Sequence, residues 1–550
     1  MTTADAIFVG GRVFTGTGSP PVDGAVAVAG GRITAVGSEA DVRALATSTT
    51  EVVQIDGGLL CPGFQDAHVH PVYGGTQMAQ CDLHGVVTSE GSVAAVAAYA
   101  AAHPEAEWIL GGGWSMEAFP GGTPTAALLD AVVPDRPVFL PNRDGHSGWV
   151  NAAALRAAGI DRSTPDPHDG RIERDAHGEP TGCLHEGAMV LVSDLVPGPT
   201  DEDYDRGLDI AQDYLFSLGI TGWQDAIIGE VNGRPDNLDA YVRAARDGRL
   251  KARVVGALWW DRNRGAEQIP ELIARREASG VGRFAATSVK VMQDGVAENF
   301  TAGMTAPYLD ACGCKTANSG LSFVEPEALK GHVTALDAAG FQVHFHALGD
   351  RAVREALDAI EAARAANGMN DHRHHLAHLQ VVHPDDVPRF AQLRAAANMQ
   401  PLWACHEPQM DELTIPYLGE PRWRWQYPFG DLERAGATLV GGSDWSVSSP
   451  DVLWGAHVAA TRMPPPDGED HAGVDAFLPE QALSLASALT AYTRGSAWVN
   501  HLDDVTGTLE VGKLADLALL DRDPFAGPPD QIGATAVRRT YVEGELVFSG

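Results

Sequence analysis

The sequence predicts an α/β protein: a (β/α)8 TIM barrel with a composite β-sandwich formed by both termini and a large cap inserted after the first barrel strand. Three observations lead to this prediction. Both ends of the chain alternate apolar and polar residues between glycine-rich turns, which is typical of short antiparallel strands. The middle alternates strand and helix patterns, as parallel α/β domains do. One connection, residues 75–215, is too long for a single βα unit.

The strand-rich ends cover residues 1–60 and 500–550. The first contains AIFVGGRVFTG and GAVAVAGGRITAVG, and the second contains TGTLEVGKLADLALLD and AVRRTYVEGELVFSG. Because two strand-rich ends flank one large middle, we expect the two to meet as one composite sandwich on the surface of the central domain.

The central domain, residues 61–499, contains eight candidate barrel strands: GFQDAHVH, GITGWQDA, RVVGALWW, TSVKVMQDG, FQVHFHALGD, HHLAHLQ, AANMQP and ATLVGGSDW. The long connection between the first two predicts the cap. It carries GGGWSMEAF, PVFLPNRDGHSGWVNAAAL and GCLHEGAM.

Composition limits the classes of partner. Of the 550 residues 44% are hydrophobic and 20% charged, and the formal net charge is -34. Because this charge repels nucleic acid and anionic lipid, we expect a small-molecule substrate, no nucleic acid and no membrane. The first residues lack the pattern of a secretory leader, so a cytoplasmic location is predicted. Assembly as a homo-oligomer stays open.

The six cysteines do not form a disulfide framework in so long a chain. Cys312 and Cys314 form a CxC sequence that could bind a metal, although loop or packing roles explain them more simply.

A first candidate metal-binding motif is QDAHVHP, where His68 and His70 end an apolar strand. Alternate residues of a strand lie on the same face, so both imidazoles point the same way and could bind one divalent metal. Alone, the pair could equally be core or surface histidines.

Lys290 lies in TSVKVMQDG, a β-branched strand in a chain with only five lysines. An unpaired ammonium would be costly to bury there. The side chain could be an ion-pair partner, a Schiff-base amine or, once carboxylated by carbon dioxide, an anionic ligand bridging two metals.

Two further strands carry histidines. His344 and His346 share a face in HFHALGD, and His346 lies nearer the carboxyl end, where barrel active sites assemble. In HRHHLAHLQ, the same argument favours His378 over His374 and His375.

The eighth strand, TLVGGSDWS, runs into Asp444. Its carboxylate could bind a metal or accept a proton from a water molecule, whereas an isolated SD sequence is often only a helix N-cap. Its position after four other ligand-bearing strands favours the metal site.

This order of ligands, HxH on strand one, Lys on four, His on five and six and Asp on eight, resembles the amidohydrolase superfamily of metal-dependent hydrolases. The motifs PGFQDAHVHP, VKVMQDG, HALGDRAV and GGSDWS are similar to its family 3 branch, the N-substituted formamide deformylase-like enzymes. The chain departs from that pattern on strand six, where His375, Leu376 and Ala377 precede His378 in place of Arg-Ile-Glu. An Arg and a Glu that could shape the substrate pocket are therefore absent.

The resemblance implies two divalent ions, zinc, with one on His68, His70 and Asp444 and the other on His346 and His378. Carboxylated Lys290 would bridge them. Such a pair lowers the pKa of a shared water and polarises a carbonyl. Asp444 would then accept the proton and return it to the leaving amine.

The cap is expected to contact substrate. The candidate residues are Trp114, Arg143, His146, Trp149 and Asn151 in the insertion and Trp403 after strand seven. Aromatic walls favour an apolar or aryl group on the substrate, although packing within the cap would also explain the tryptophans.

The leading functional hypothesis is hydrolysis of a C–N bond in an amide, an N-substituted formamide, or a cyclic amide or imide. Deamination and ester or lactone hydrolysis are alternatives, because the same metal centre can perform them. A non-catalytic metal-binding protein is a third, less favoured hypothesis.

Overall fold

The computed structural model describes residues 3–231, 234–466 and 473–550. Strands of these residues form three sheets. In chain order the strands are β1 (Ala6–Val13), β2 (Val22–Ala29), β3 (Arg32–Gly37), β4 (Glu51–Gln54), β5 (Leu59–Pro62), β6 (Phe64–Val69), β7 (Cys81–Asp82), β8 (Ile109–Gly112), β9 (Val138–Pro141), β10 (Ser147–Val150), β11 (Gly170–Arg174), β12 (Pro180–Glu186), β13 (Ile220–Ile228), β14 (Arg253–Trp259), β15 (Phe284–Met292), β16 (Gln342–Ala347), β17 (His375–His378), β18 (Ala396–Met399), β19 (Thr438–Gly441), β20 (Leu517–Leu520), β21 (Val537–Val542) and β22 (Glu545–Ser549).

Helices cover the outside of the barrel and complete the cap. They are α1 (Glu39–Arg43), α2 (Pro71–Met78), α3 (Ser89–Ala102), α4 (Ala126–Asp130), α5 (Ala152–Ala157), α6 (Val190–Ser193), α7 (Asp201–Ser217), α8 (Leu238–Arg246), α9 (Ile269–Ser279), α10 (Pro326–Ala338), α11 (Asp350–Asn367), α12 (Val387–Leu393), α13 (Ile415–Leu418), α14 (Phe429–Arg434), α15 (Val452–Thr461), α16 (Leu485–Thr490) and α17 (Ser496–Val499).

The central sheet confirms the predicted barrel. Its order is β19-β18-β17-β16-β15-β14-β13-β6, and all its neighbouring strands are parallel. Backbone hydrogen bonds join the two ends of this sheet: Asp444 donates to His68 (2.7 Å) and His70 donates to Trp445 (2.7 Å). The barrel therefore closes between the first strand and the segment after the eighth, beside the predicted ligands.

Both termini contribute to one further sheet, of order β22-β21-β20-β5-β1-β2-β3, with β4 also pairing with β1. In a flat sheet β1 and β21 would be about 14 Å apart, since three strand spacings separate them. Yet the rings of Phe8 and Tyr541 on these two strands meet with centroids 5.1 Å apart. The sheet thus curls until its N-terminal and C-terminal halves face each other across a shared core.

The cap contains a third sheet, of order β11-β12-β10-β9-β8-β7, and a hydrophobic core of its own. Contacts with barrel loops hold it over the mouth. Asn299 donates to the carbonyl of His146 (3.2 Å), the Thr301 hydroxyl donates to Glu186 (2.7 Å), and Arg262 forms an ion pair with Asp169. The cap therefore faces the carboxyl ends of the barrel strands.

Candidate metal centre

Three predicted ligands converge at the mouth of the barrel. His68 is the last but one residue of strand β6, His70 is at the N-cap of α2, and Asp444 follows β19. Oδ1 of Asp444 lies 3.2 Å from Nε2 of His68 and 2.9 Å from Nε2 of His70. One ligand atom from each residue falls within 4.8 Å of the other two, a spacing that one ion could span.

Lys290, on β15, points into the same group. Its Nζ lies 3.4 Å from Nε2 of His68, and the residue is buried. Burial disfavours the ammonium and lowers the pKa of Lys290 to about 7, although the charge of Asp444 opposes this shift. Burial therefore favours the free amine of Lys290 over the ammonium.

His346 and His378 complete the group from β16 and β17. Their ring centroids are 4.5 Å apart, and Nδ1 of His378 lies 3.8 Å from Oδ2 of Asp444. Nδ1 of His346 faces Oδ1 of Asp294 at 3.3 Å. Burial holds the pKa of both imidazoles well below the usual value. Both rings are thus neutral, as metal ligands must be.

The donor set fits a divalent metal. Although the two ring nitrogens of His378 are buried, neither has a hydrogen-bond partner among the described residues. Such orphaned nitrogens are costly unless a ligand satisfies them. Burial alone would raise the pKa of Asp444, but the nearby His68, His70 and His378 hold it well below the usual value. An ionised carboxylate beside neutral imidazoles is the state that binds metal.

Two ligand positions have unusual backbone conformations. His378 has φ 81° and Asp444 has φ 59°, a region that non-glycine residues rarely adopt. Strain of this kind concentrates at functional sites, where the surrounding structure enforces it. Here it turns each side chain inward from the end of a barrel strand.

From the cap, His146 reaches the metal centre. Its Nδ1 lies 2.9 Å from Oε2 of Glu186, and its ring centroid lies 5.6 Å from that of His346. Burial lowers the pKa of His146, but the charge and hydrogen bond of Glu186 outweigh this effect and raise it to about 9. The cap thus presents a cationic imidazole, held by a carboxylate, to the space above the ligands.

Of the other residues predicted to contact substrate, Arg143 and Trp403 lie at or beside the metal centre. Arg143 lines the cavity and donates to Gln409 (3.0 Å). Trp403, after β18, stacks on His378 with ring centroids 5.4 Å apart and planes at 6°. Its contact is therefore with a predicted ligand.

The structure does not bring Trp114, Trp149 and Asn151 to the mouth. Both indoles are wholly buried in the core of the cap and donate to backbone carbonyls of Leu140 and Thr125. Asn151 caps α5 through a bond from the backbone N–H of Ala154 (2.9 Å). Packing and capping account for all three, so their predicted contact with substrate has no structural support.

A cavity of about 1030 Å³ connects the ligands to the space under the cap. Its lining is rich in charged and polar groups, including Arg143, Asp144, His146, Glu186 and Asp225. The aromatic residues Tyr73, Phe139 and Trp259 also line this cavity.

Several residues that hold the ligands were not predicted from sequence. Oδ1 of Asp66 accepts hydrogen bonds from the backbone of His68 (3.0 Å) and Ser443 (3.0 Å) and so joins β6 to the segment after β19. Asp294 holds His346 and accepts a bond from the backbone of Gly349 (2.9 Å). Asp66 lies in QDAHVH and Asp294 in VMQDG, close to predicted ligands, and this proximity in sequence is the feature that could have identified them.

A parallel barrel with histidine, lysine and aspartate side chains converging at its carboxyl end defines the class of metal-dependent hydrolases. Residues 51–548 match the amidohydrolase family (Amidohydro_3), and the chain belongs to that family. It is a metal-dependent amidohydrolase, an enzyme that acts on carbon–nitrogen bonds.

Similar proteins cover nearly the whole chain. Protein LONG AFTER FAR-RED 3 of Arabidopsis thaliana is 32% identical over 99% of this chain and 92% of its own length. N-substituted formamide deformylase of Arthrobacter pascens is 26% identical over 95% of this chain and 94% of its own. The crystal structure of an uncharacterized metal-dependent hydrolase from Pyrococcus horikoshii has a TM-score of 0.71 at 25% identity and covers 95% of this chain and 99% of that one.

Within the part of the chain that the structure describes, every helix is too short or too polar to cross a bilayer.

Proposed function

We propose that this enzyme hydrolyses a C–N bond in a small amide, N-substituted formamide, or cyclic amide or imide at a centre that holds two zinc ions. The observation that carries the proposal is the convergence of Asp444, four imidazoles and Lys290 at one end of the barrel. A relative named for formamide hydrolysis aligns over nearly its entire length and supports the substrate class.

The ligands divide into two incomplete sets that share a bridge. His68, His70 and Asp444 would hold one ion, and His346 and His378 the other. When bound, such a pair acidifies water and polarises a carbonyl. Lys290, carboxylated, would supply the negative charge that reduces the repulsion between the two ions.

Asp444 is proposed as the proton carrier. Its Oδ1 faces His68 and His70, and its Oδ2 faces His378 at 3.8 Å, so the carboxylate lies between the two sets. The ionised carboxylate can accept a proton from the attacking water and then donate it to the leaving amine. This return step is needed because an amine leaves readily only when protonated.

The cap is proposed to bind the polar part of the substrate. His146, held by Glu186, and Arg143 both line the cavity and carry positive charge, which suits a carbonyl oxygen or a carboxylate. The tryptophans on which an apolar substrate was expected lie inside the cap or behind His378. The substrate we propose therefore has polar groups beside the scissile bond.

A panel of small substrates tests the proposal. Parental enzyme loaded with zinc is incubated with N-substituted formamides, simple amides, cyclic imides, aminopurines and esters, and products are identified by mass spectrometry. We expect release of an amine or acid from at least one C–N substrate and none from a sample stripped by a chelator. Turnover of esters or aminopurines alone would instead favour the alternatives, lactone or ester hydrolysis and deamination.

A further inference from the structure

Below the metal centre, the interior of the barrel holds a connected chain of polar side chains. Its members are Gln224, Gln342, His344, His375, Asn398 and Gln400, and all of them are buried. Barrel interiors are ordinarily filled by branched apolar residues, so a polar chain of this length needs an explanation.

The direction of each hydrogen bond in this row of polar side chains follows from Gln342, the member farthest along the row from His68. Nε2 of Gln342 donates to the backbone carbonyls of Arg373 (2.9 Å) and Val499 (2.6 Å). Carbonyls only accept, so the amide oxygen of Gln342 must face the other way, toward Gln224. Nε2 of Gln224 donates to that oxygen at 2.9 Å. The oxygen of Gln224 is thereby turned toward the histidines.

This orientation sets the tautomers of two imidazoles. Nδ1 of His344 lies 2.7 Å from Oε1 of Gln224 and must carry its hydrogen, because the amide oxygen only accepts. His344 is wholly buried among other imidazoles, where a charge would be desolvated, so the ring is neutral and its Nε2 accepts. The partner of Nε2 is Nδ1 of His68 at 2.8 Å, which must therefore donate.

A second branch connects Gln224 to the backbone N–H of His378, and this other end gives the amide of Gln224 the same orientation. Nε2 of His375 lies 3.0 Å from the same oxygen of Gln224, so it donates, and its Nδ1 accepts from Asn398 (3.1 Å). The oxygen of Asn398 accepts from Gln400 (3.1 Å), whose own oxygen accepts from the backbone N–H of His378 (2.7 Å). Backbone groups at both ends thus force one consistent set of directions.

We infer that Gln224 and His344 are positioning residues that hold His68 as the Nδ1–H tautomer and so leave its Nε2 lone pair free for a metal. The inference rests on the proposed role of His68 as a ligand. The opposite tautomer would present an N–H to the ion. Partners of ligand histidines commonly change metal affinity 10–100-fold when they are removed.

The zinc affinity of the Gln224→Met variant tests this inference. Gln224 is separated from the proposed ligand His68 by two hydrogen bonds, through His344. Methionine has nearly the shape of glutamine but cannot accept the bond from His344, which is then free to adopt either tautomer. With zinc ions alone and a chromophoric chelator as competitor, we expect Kd to rise about 10–100-fold. A folded Gln224→Met protein with the parental Kd would overturn the inference.

His374→Phe is the matched control. His374 is as deeply buried as His344, but its Nε2 faces Asp337 (2.9 Å) and its Nδ1 accepts from Val343 (3.0 Å), away from the ligands. We expect this variant to lose stability and keep the parental Kd for zinc. If His374→Phe lost as much zinc affinity as Gln224→Met, removal of any buried polar side chain would weaken zinc binding equally. That result would contradict a positioning role for Gln224.

A second measurement needs no metal and leaves the hydrogen-bonded network of the parental protein intact. Nitrogen-15 NMR of histidine rings in the metal-free parental protein, with the His68 signals assigned by their absence in His68→Ala, reports the tautomer directly. We expect hydrogen on Nδ1 of His68, which faces the accepting Nε2 of His344, and a ring with hydrogen on Nε2 and none on Nδ1 would overturn the inference. If the parental protein binds no zinc, the proposed metal centre fails, while this measurement still decides the tautomer.

Discussion

Asp444 combines at one residue a left-handed backbone, contacts with three imidazoles and a strongly lowered pKa. A carboxylate that stays ionised through the neutral range can bind a metal and accept a proton. Replacing it with asparagine keeps the size and one ligating oxygen but removes the basic site, so the two roles can be separated.

We expect Asp444→Asn to lower kcat by about 10²–10⁴-fold, the usual contribution of general acid–base catalysis, with KM little changed. The lost interaction belongs mainly to the transition state. Steady-state kinetics are measured with the metal content of the same sample, since a lost ion would mimic a lost base. Near-parental turnover with a full metal complement would show that Asp444 is only a ligand.

Lys290 has the environment that carboxylation requires, a buried amine with a pKa of about 7. After incubation with carbon-13 bicarbonate, the parental protein should show a carbamate carbon signal in its NMR spectrum. Lys290→Met should lose this signal together with activity. Lys330→Met is the control, because Lys330 is a surface lysine paired with Glu327 and should keep both.

A carbamate signal that persists in Lys290→Met would place the modification elsewhere. Absence of the signal in metal-loaded parental protein would instead leave Lys290 as an unmodified amine beside His68.

At the scale of elements, strand periodicity was sufficient to predict all eight barrel strands and to choose His346 and His378 by their position at strand ends. The cap could not be derived in the same way. His146 meets Glu186 because β10 and β12 are antiparallel with Ser147 opposite His185, a register that the sequence does not specify. For the same reason, whether Trp114 faces the cavity or the cap core could not be decided in advance.

The curled terminal sheet makes its own prediction. Phe8 is wholly buried against Tyr541, so Phe8→Ala removes the contact that joins the two halves of the sheet. Large-to-small changes of this kind cost about 3–5 kcal/mol. We expect a clear fall in the apparent Tm measured by calorimetry.

Leu546→Ala is the control for this change, because Leu546 belongs to the same sheet on β22 but is 46% exposed. Surface substitutions usually alter stability by less than about 0.5 kcal/mol. Equal Tm values for both variants would argue against a core shared by the two termini.

At the scale of the whole molecule, two of the three units, the barrel and the cap, line the site. The barrel supplies the proposed ligands, and the cap supplies His146 and Arg143. The terminal sheet adjoins the barrel in sequence, since its strand β5 directly precedes β6. The mouth carries these two cationic groups, although the formal net charge of the whole chain is -34.

The central claim, a hydrolase whose ligands hold two divalent ions, is tested most directly by stepwise reconstitution. Metal-free protein is titrated with zinc, and bound metal per chain and hydrolytic activity are measured on the same samples. We predict that activity rises until two ions are bound per chain, because the proposed ligands form two incomplete sets that carboxylated Lys290 would join. Full activity with one ion per chain, or undiminished activity in metal-free protein, would contradict the account.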